Sequence, residues 1–147
     1  MTDLRTLATD VELEEKGAWV PYPLLPTLEI RIARRGNARW DAAFRTLIRD
    51  HREEMIKESE DDSSSELTDE LEAGLYADTI VTGWRDTTLE SGEEQIELDG
   101  EFLGCTRENV IKVLLDKQFH DLFTWIRQVA AQRAHYAAQQ QEEKLGN

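Results

Sequence analysis

Apolar and polar residues first alternate near the start of the chain. Leu28, Ile30 and Ile32 are each separated by one small or charged residue, which is the period of a strand with one buried face. A proline-rich stretch precedes them, and proline cannot donate a hydrogen bond to a strand ladder. We therefore expect residues 18–22 at a sheet edge or as an extended arm, and residues 17–33 as a small two-stranded unit.

The period becomes helical after Gly36-Asn37, which we expect to end the strand and cap a helix. In that helix, apolar side chains and one histidine recur every three or four positions, forming one stripe: Trp40, Ala43, Phe44, Leu47, Ile48, His51 and Met55. The stripe predicts packing against the apolar strand face, with Phe44 buried between helix and strands.

The second half of the chain predicts four further units. Thr68 is expected to cap a helix with apolar positions from Leu71 to Trp84. Asp99-Gly100, between alternating apolar residues, is typical of a tight hairpin. Thr106 is expected to cap a short helix. A last long helix carries an apolar stripe at Phe119, Leu122, Phe123, Ile126 and Ala130.

These periods predict a mainly α fold, in which a helical domain carries a small N-terminal β-hairpin or strand unit and a short Asp-Gly hairpin. A stretch rich in acids and serine has little to bury and is expected to be a flexible linker. The apolar stripe stops at Gln139. We therefore predict one domain, 1–147, divided into a strand unit plus helix (11–57), an acidic flexible linker (58–67), a helical part (68–138) and a polar tail (139–147).

Charge excludes two classes of partner. The chain has 31 acidic and 17 basic residues, a net charge of -14, which opposes binding to a phosphate backbone or an anionic membrane. We expect no nucleic acid and no membrane as partners. No apolar run approaches the roughly 20 residues that span a bilayer, and the first fifteen residues lack the pattern of a secretory signal. A soluble, intracellular protein is expected.

The residues predict no catalytic, cofactor or metal site. Asp116 and His120 are one helical turn apart and His135 follows, but nothing completes a metal-binding set. The glycines do not follow the order of a phosphate-binding loop. Cys105 is the single cysteine and is expected to be a buried thiol. We expect a protein that is not an enzyme.

Aromatic residues in the last helices predict a protein-binding surface. Apolar width there exceeds what one packing face needs, and Trp125 lies off the main stripe. Exposed aromatic side chains suit an interface with another protein. The candidate binding residues are Phe119, Phe123, Trp125 and Val129. Burial of all four in the core is the other interpretation.

Four segments, in this order, carry a resemblance to a known family: EKGAWVPYP, TLEIRIARRGNARWDAAFRTLI, LYADTIVTGW and LDGEFLGCTRENVIKVLLDKQFHDLFTWIRQVAAQRAHY. Over roughly residues 11–138 the chain resembles the tail assembly chaperones of long-tailed (siphovirus-like) bacteriophages. In that family a Gly-Asn turn precedes an arginine-rich helix, a helix ends in Gly-Trp, and an Asp-Gly turn leads to a capped, leucine-rich helix. Gly104-Cys105 and the acidic stretch 58–66 depart from the family pattern.

The resemblance implies a non-enzymatic chaperone that binds the tape measure protein and keeps it soluble while the tail tube polymerises. It places the protein in the host cell cytoplasm during virion assembly and outside the mature virion. Family members often have a frameshifted long form that recruits the major tail tube protein. Leu145-Gly146-Asn147 can be encoded with a heptamer, G GGA AAC, on which a ribosome can slip back by one base. Self-association is left open.

Two other functions also stay open. A structural tail or head-completion protein retained in the virion would have a similar composition. An acidic inhibitor that mimics nucleic acid would suit the charge, although the acids concentrate in the serine-rich stretch and at helix starts, without ordered rows of carboxylates at phosphate-like spacing.

Overall fold

The computed structural model describes residues 2–60 and 66–138. Helices and strands are interspersed along these residues. The helices are α1 (Val11–Lys16), α2 (Ala38–Glu60), α3 (Glu66–Thr79), α4 (Arg107–Leu115) and α5 (His120–Ala131). The strands are β1 (Ala18–Tyr22), β2 (Leu25–Ile32), β3 (Val81–Asp86), β4 (Gln95–Leu98) and β5 (Glu101–Gly104).

Strands β1, β2 and β3 form an antiparallel sheet with β2 in the centre. Ile30 and Ile32 of β2 are buried, which confirms the alternation predicted for this strand. The proline-containing strand β1 lies at the edge, as predicted, and Pro21 is exposed. The unit predicted as two-stranded gains its third strand from a segment about fifty residues later in the sequence.

The prediction of a mainly α fold is wrong, because the described residues form a mixed fold with two antiparallel sheets of three and two strands. The error lies in the helix predicted to reach Trp84, since α3 ends at Thr79 and β3 follows. Ile80, Val81 and Trp84 fall at helical spacing, which favoured a longer helix. Residues 79–82, however, are all β-branched, and such side chains favour extended backbone.

The Asp99-Gly100 hairpin is confirmed. Both residues have positive φ, 52° and 84°, as a two-residue turn of type I′ requires, and they join β4 to β5. The indole Nε1 of Trp84 donates a hydrogen bond to the carbonyl oxygen of Leu103 at 3.0 Å. This bond ties the three-stranded sheet to the hairpin. Thr106 caps α4 as predicted, by accepting from a backbone N–H at 3.2 Å.

The core is formed by residues of the three-stranded sheet, α3, α4 and α5, together with Trp40 of α2 and Leu103 of β5. Tyr136, which is fully buried, donates from its hydroxyl to the Ile32 carbonyl oxygen at 2.8 Å. This bond fastens the end of the described chain to the central strand. No helix within residues 2–60 and 66–138 is both long enough and apolar enough to cross a membrane.

Helix α2 is poorly covered by the rest of the fold. Phe44 is 39% exposed, so its predicted burial against the strands is wrong. The ring stacks on Trp40 with centroids 4.8 Å apart, and it stays partly exposed because the apolar stripe of α2 is wider than the surface that its neighbours cover.

Both ends of the predicted linker, residues 58–67, are helical. Helix α2 continues to Glu60 and α3 begins at Glu66, so Thr68 lies inside α3 and is not its cap. The carboxylate of Glu58 accepts from the backbone N–H groups of Leu67 and Thr68, both at 3.1 Å. Such capping satisfies two donors at the helix start. The rest of the linker and the predicted tail, 139–147, lie outside the described residues.

Candidate protein-binding groove

An apolar groove of about 360 Å³ lies between the β1–β2 hairpin, β4 and the start of α5. We call it the hairpin groove. One wall is formed by the hairpin residues Tyr22, Leu24, Leu25 and Leu28, and the other by Ile96, Leu98, Phe119 and Leu122. Val113 of α4 also lines it. The groove therefore joins three parts of the chain that are far apart in sequence.

The hairpin wall owes its shape to a tight turn at Pro23-Leu24, between the paired residues Tyr22 and Leu25. Proline presets the backbone angle that the first central position of such a turn needs. Leu24 is 78% exposed and Leu25 is 55% exposed. Two large apolar side chains thus extend into solvent from a short, hydrogen-bonded hairpin, which is an arrangement typical of a binding surface.

The opposite wall is held by a short turn before α5. The carboxylate of Asp116 accepts from the backbone N–H of Gln118 at 2.9 Å and begins a single 3₁₀ turn, Lys117–Phe119. This turn places the Phe119 ring at the groove. Leu122 follows one helical turn later, because residues three apart lie on the same helix face.

The structure separates the four predicted binding residues into two pairs. Phe119 lines the groove, and Trp125 stands beside it with its ring edge-on to Tyr22 at 5.0 Å. Both are half-buried. Phe123 and Val129 are buried in the core at 5% and 3% exposure. A partner could therefore contact the first pair directly, whereas the second pair stabilises the helix that carries them.

Charge near the groove is acidic. Glu97 and Asp121 belong to its lining and are exposed, and the whole chain carries -14. No group of three residues suited to a metal ion occurs within residues 2–60 and 66–138. The arrangement offers apolar burial with carboxylates at the rim, which suits an amphipathic helix with basic residues along its edges.

Sequence reasoning missed the hairpin wall. Leu24 and Leu25 stand between Pro23 and Pro26, in a segment that predicts a turn, and large apolar residues in a turn have no strand or helix face to join. Two large apolar residues in a predicted turn are therefore the feature of the sequence that indicates an exposed binding surface. The alternation at Ile96 and Leu98 predicts only a strand of the Asp-Gly hairpin, because contact between distant elements is not visible in local periodicity.

The chain belongs to the YdaY prophage protein family, whose model matches residues 36–147. It is therefore a phage-derived protein. The matched segment includes β4, the turn before α5 and α5 itself, and it begins after the β1–β2 hairpin. No curated protein matches the chain, and no solved structure does.

Proposed function

We propose that this prophage protein is a non-enzymatic tail assembly chaperone whose hairpin groove holds an apolar helical segment of the tape measure protein. The observation that carries the proposal is the pair of exposed leucines, Leu24 and Leu25, beside an apolar groove. The prophage family is consistent with a role in building phage particles. The resemblance to tail assembly chaperones supports the choice of partner.

The size of the groove suits reversible binding. A leucine moved from water into an apolar contact contributes roughly 1.5 to 3 kcal/mol, so the two exposed leucines together contribute about 3 kcal/mol to a complex that buries them incompletely. A chaperone must release its client when tube subunits arrive, and a small apolar contact with an acidic rim permits that release. The exposed acids also keep the complex soluble.

Under this proposal the protein acts in the host cell cytoplasm and leaves before the particle is complete. The major tail tube protein is a second partner, recruited by an extended product if the gene encodes one. A structural protein retained in the virion is the competing function, and mass spectrometry of purified particles distinguishes the two.

Co-expression with the tape measure protein of the same prophage tests the groove. We expect the double variant Leu24→Asp, Leu25→Asp to lower capture of the tape measure protein about 100-fold, since each 1.4 kcal/mol is a factor of ten, and to return it to the insoluble fraction. The matched control is Leu4→Asp, Leu7→Asp, because these leucines are also exposed, at 78% and 62%, and lie outside the groove.

Circular dichroism of each variant alone establishes that it is folded. Equal capture by the groove variant and the wild type would exclude the hairpin groove as the binding site. Equal losses for the groove variant and the control would show that the effect is one of added charge. Recovery of the chain in stoichiometric amounts from finished particles would exclude the chaperone function and favour a structural protein retained in the virion.

A further inference from the structure

Helix α2 presents an apolar edge that the described residues leave open. It has 23 residues, a length of about 34 Å, yet only Trp40 among them is buried. Phe44 and Ile56 are 39% and 47% exposed, and Ile48 and Met55 are half-buried. The shorter α3 has five buried residues. Helix α2 is therefore much less covered than α3.

A cavity of about 150 Å³ lies beside this edge, between α2 and α3. Trp40, Phe44, Leu71 and Tyr76 are among its lining residues. Trp40 is about nine-tenths buried. Its indole Nε1 is also buried and has no hydrogen-bond partner among the described residues. Buried donors without an acceptor are rare in folded proteins. The donor therefore lacks an acceptor beside a cavity that the described residues leave unfilled.

The first half of α2 is basic and the second half is acidic. Residues 38–49 hold three arginines and one aspartate, whereas residues 50–60 hold five carboxylates against one arginine and one lysine. Among the described residues the ion pairs along α2 are local, Arg49 with Asp50 and His51 with Glu54, and neither includes Arg45 or Glu53. Two copies of α2 placed antiparallel would set each basic half against an acidic half.

We propose that two copies of this chain pair through α2, antiparallel and about a two-fold axis near residue 50. In a two-fold interface the same patch meets itself, so every contact occurs twice. This axis brings Phe44 to the same height along the helix pair as Ile56 of the second copy, on the opposite flank of the interface, because twelve residues turn an α-helix by a net angle of about 120°. The apolar edge is then covered on both copies, and the cavity beside Trp40 lies at the border of the interface.

The pairing is weak because the surface is narrow. Stable complexes bury about 800 Å² per partner, and one face of a 34 Å helix supplies less than that. The charge of -14 on each copy also opposes association, but at 0.15 M salt the screening length is about 8 Å. Repulsion between distant charges is therefore damped, while contacts across the helix pair remain. We expect a dimer whose fraction rises with protein concentration.

Sedimentation velocity of the purified full-length chain over a concentration series tests the pairing. We expect both Arg45→Glu, Arg49→Glu and Glu53→Arg, Glu60→Arg to stay monomeric at concentrations where the wild type dimerises. An equimolar mixture of the two variants should restore dimers, because each acidic α2 then meets a basic one in both halves. Misfolding of either variant would not be reversed by mixing. The control Lys112→Glu, Lys117→Glu makes the same change in charge as Arg45→Glu, Arg49→Glu, at exposed residues outside α2.

A wild-type chain that stays monomeric at every concentration would overturn the proposal, as would two variants that fail to dimerise when mixed. Dimers of unchanged strength in both variants would place the interface elsewhere. The experiment uses no phage partner, so its outcome is independent of whether the hairpin groove binds the tape measure protein.

Discussion

The two buried tryptophans, Trp84 and Trp40, allow the hydrogen bond between the sheets to be measured directly. Trp84 is 2% exposed and its Nε1 donates to the Leu103 carbonyl. Trp40 is 9% exposed and its Nε1 has no partner within the described residues. The change Trp→Phe removes the same atoms at both sites, and only Trp84 loses a hydrogen bond by it, so the difference between the two variants reports on that bond.

The difference in stability between the two variants follows from the contacts that each substitution removes. Each variant loses similar apolar volume, at roughly 1 to 2 kcal/mol. Trp84→Phe also loses a hydrogen bond and strips a buried carbonyl of a donor, which adds about 1 to 3 kcal/mol. Trp40→Phe removes a donor that was already unsatisfied. We therefore expect Trp84→Phe to lower the free energy of unfolding by about 1 to 3 kcal/mol more than Trp40→Phe does.

Urea unfolding followed by far-ultraviolet circular dichroism measures this difference, at protein concentrations of a few micromolar, where pairing of copies contributes little. With a denaturant slope of about 2 kcal/mol per molar urea, the midpoint of Trp84→Phe should lie about 0.5 to 1.5 M below that of Trp40→Phe. Equal midpoints, or a lower one for Trp40→Phe, would refute the assignment of the inter-sheet bond.

Two further predictions concern a glycine and the cysteine. Gly17 has φ +101°, and an added Cβ would lie 2.8 Å from the Thr82 hydroxyl oxygen, so Gly17→Ala should cost more than about 2 kcal/mol in thermal unfolding. Gly92→Ala, at positive φ but in open space, should cost about 1 kcal/mol, and equal losses would contradict the steric argument. Burial raises the pKa of the Cys105 thiol to about 11, which keeps it protonated above pH 9. Alkylation at pH 8 should therefore be about 100-fold slower in the native protein than in urea, and equal rates would show an accessible thiolate.

Features that depend on a few adjacent residues could be predicted from the sequence. Asp99-Gly100 supplies the two positive φ angles of its turn, and Thr106 supplies the oxygen that caps α4. The alternation at Leu28, Ile30 and Ile32 needs only one buried sheet face. In each case the physical cause lies within a few residues of its effect.

Features that depend on which distant element covers a residue could not be predicted in this way. The stripe on α2 correctly identifies a helix, but periodicity does not say how much of the stripe a neighbour covers, and Phe44 is left exposed. At Thr79 a helical period and a run of β-branched residues compete. Pairing of β3 with β2, fifty residues earlier, decides in favour of the strand, and that contact leaves no local pattern.

The two proposed surfaces share no lining residue. The hairpin groove is built from the β1–β2 hairpin, β4 and the start of α5, whereas the open edge and cavity belong to α2 and α3. A chain could therefore hold a helix in the groove while its α2 is paired with a second copy. Under the proposed function, a long helical client would let a dimer with two grooves bind two segments of it. Linked binding of this kind strengthens attachment without enlarging either site.

Under both proposals, the charge-reversed α2 variants should therefore retain capture of a single short helix but bind the full-length tape measure protein more weakly. Equal loss of binding for both ligands would show that the two surfaces are not independent.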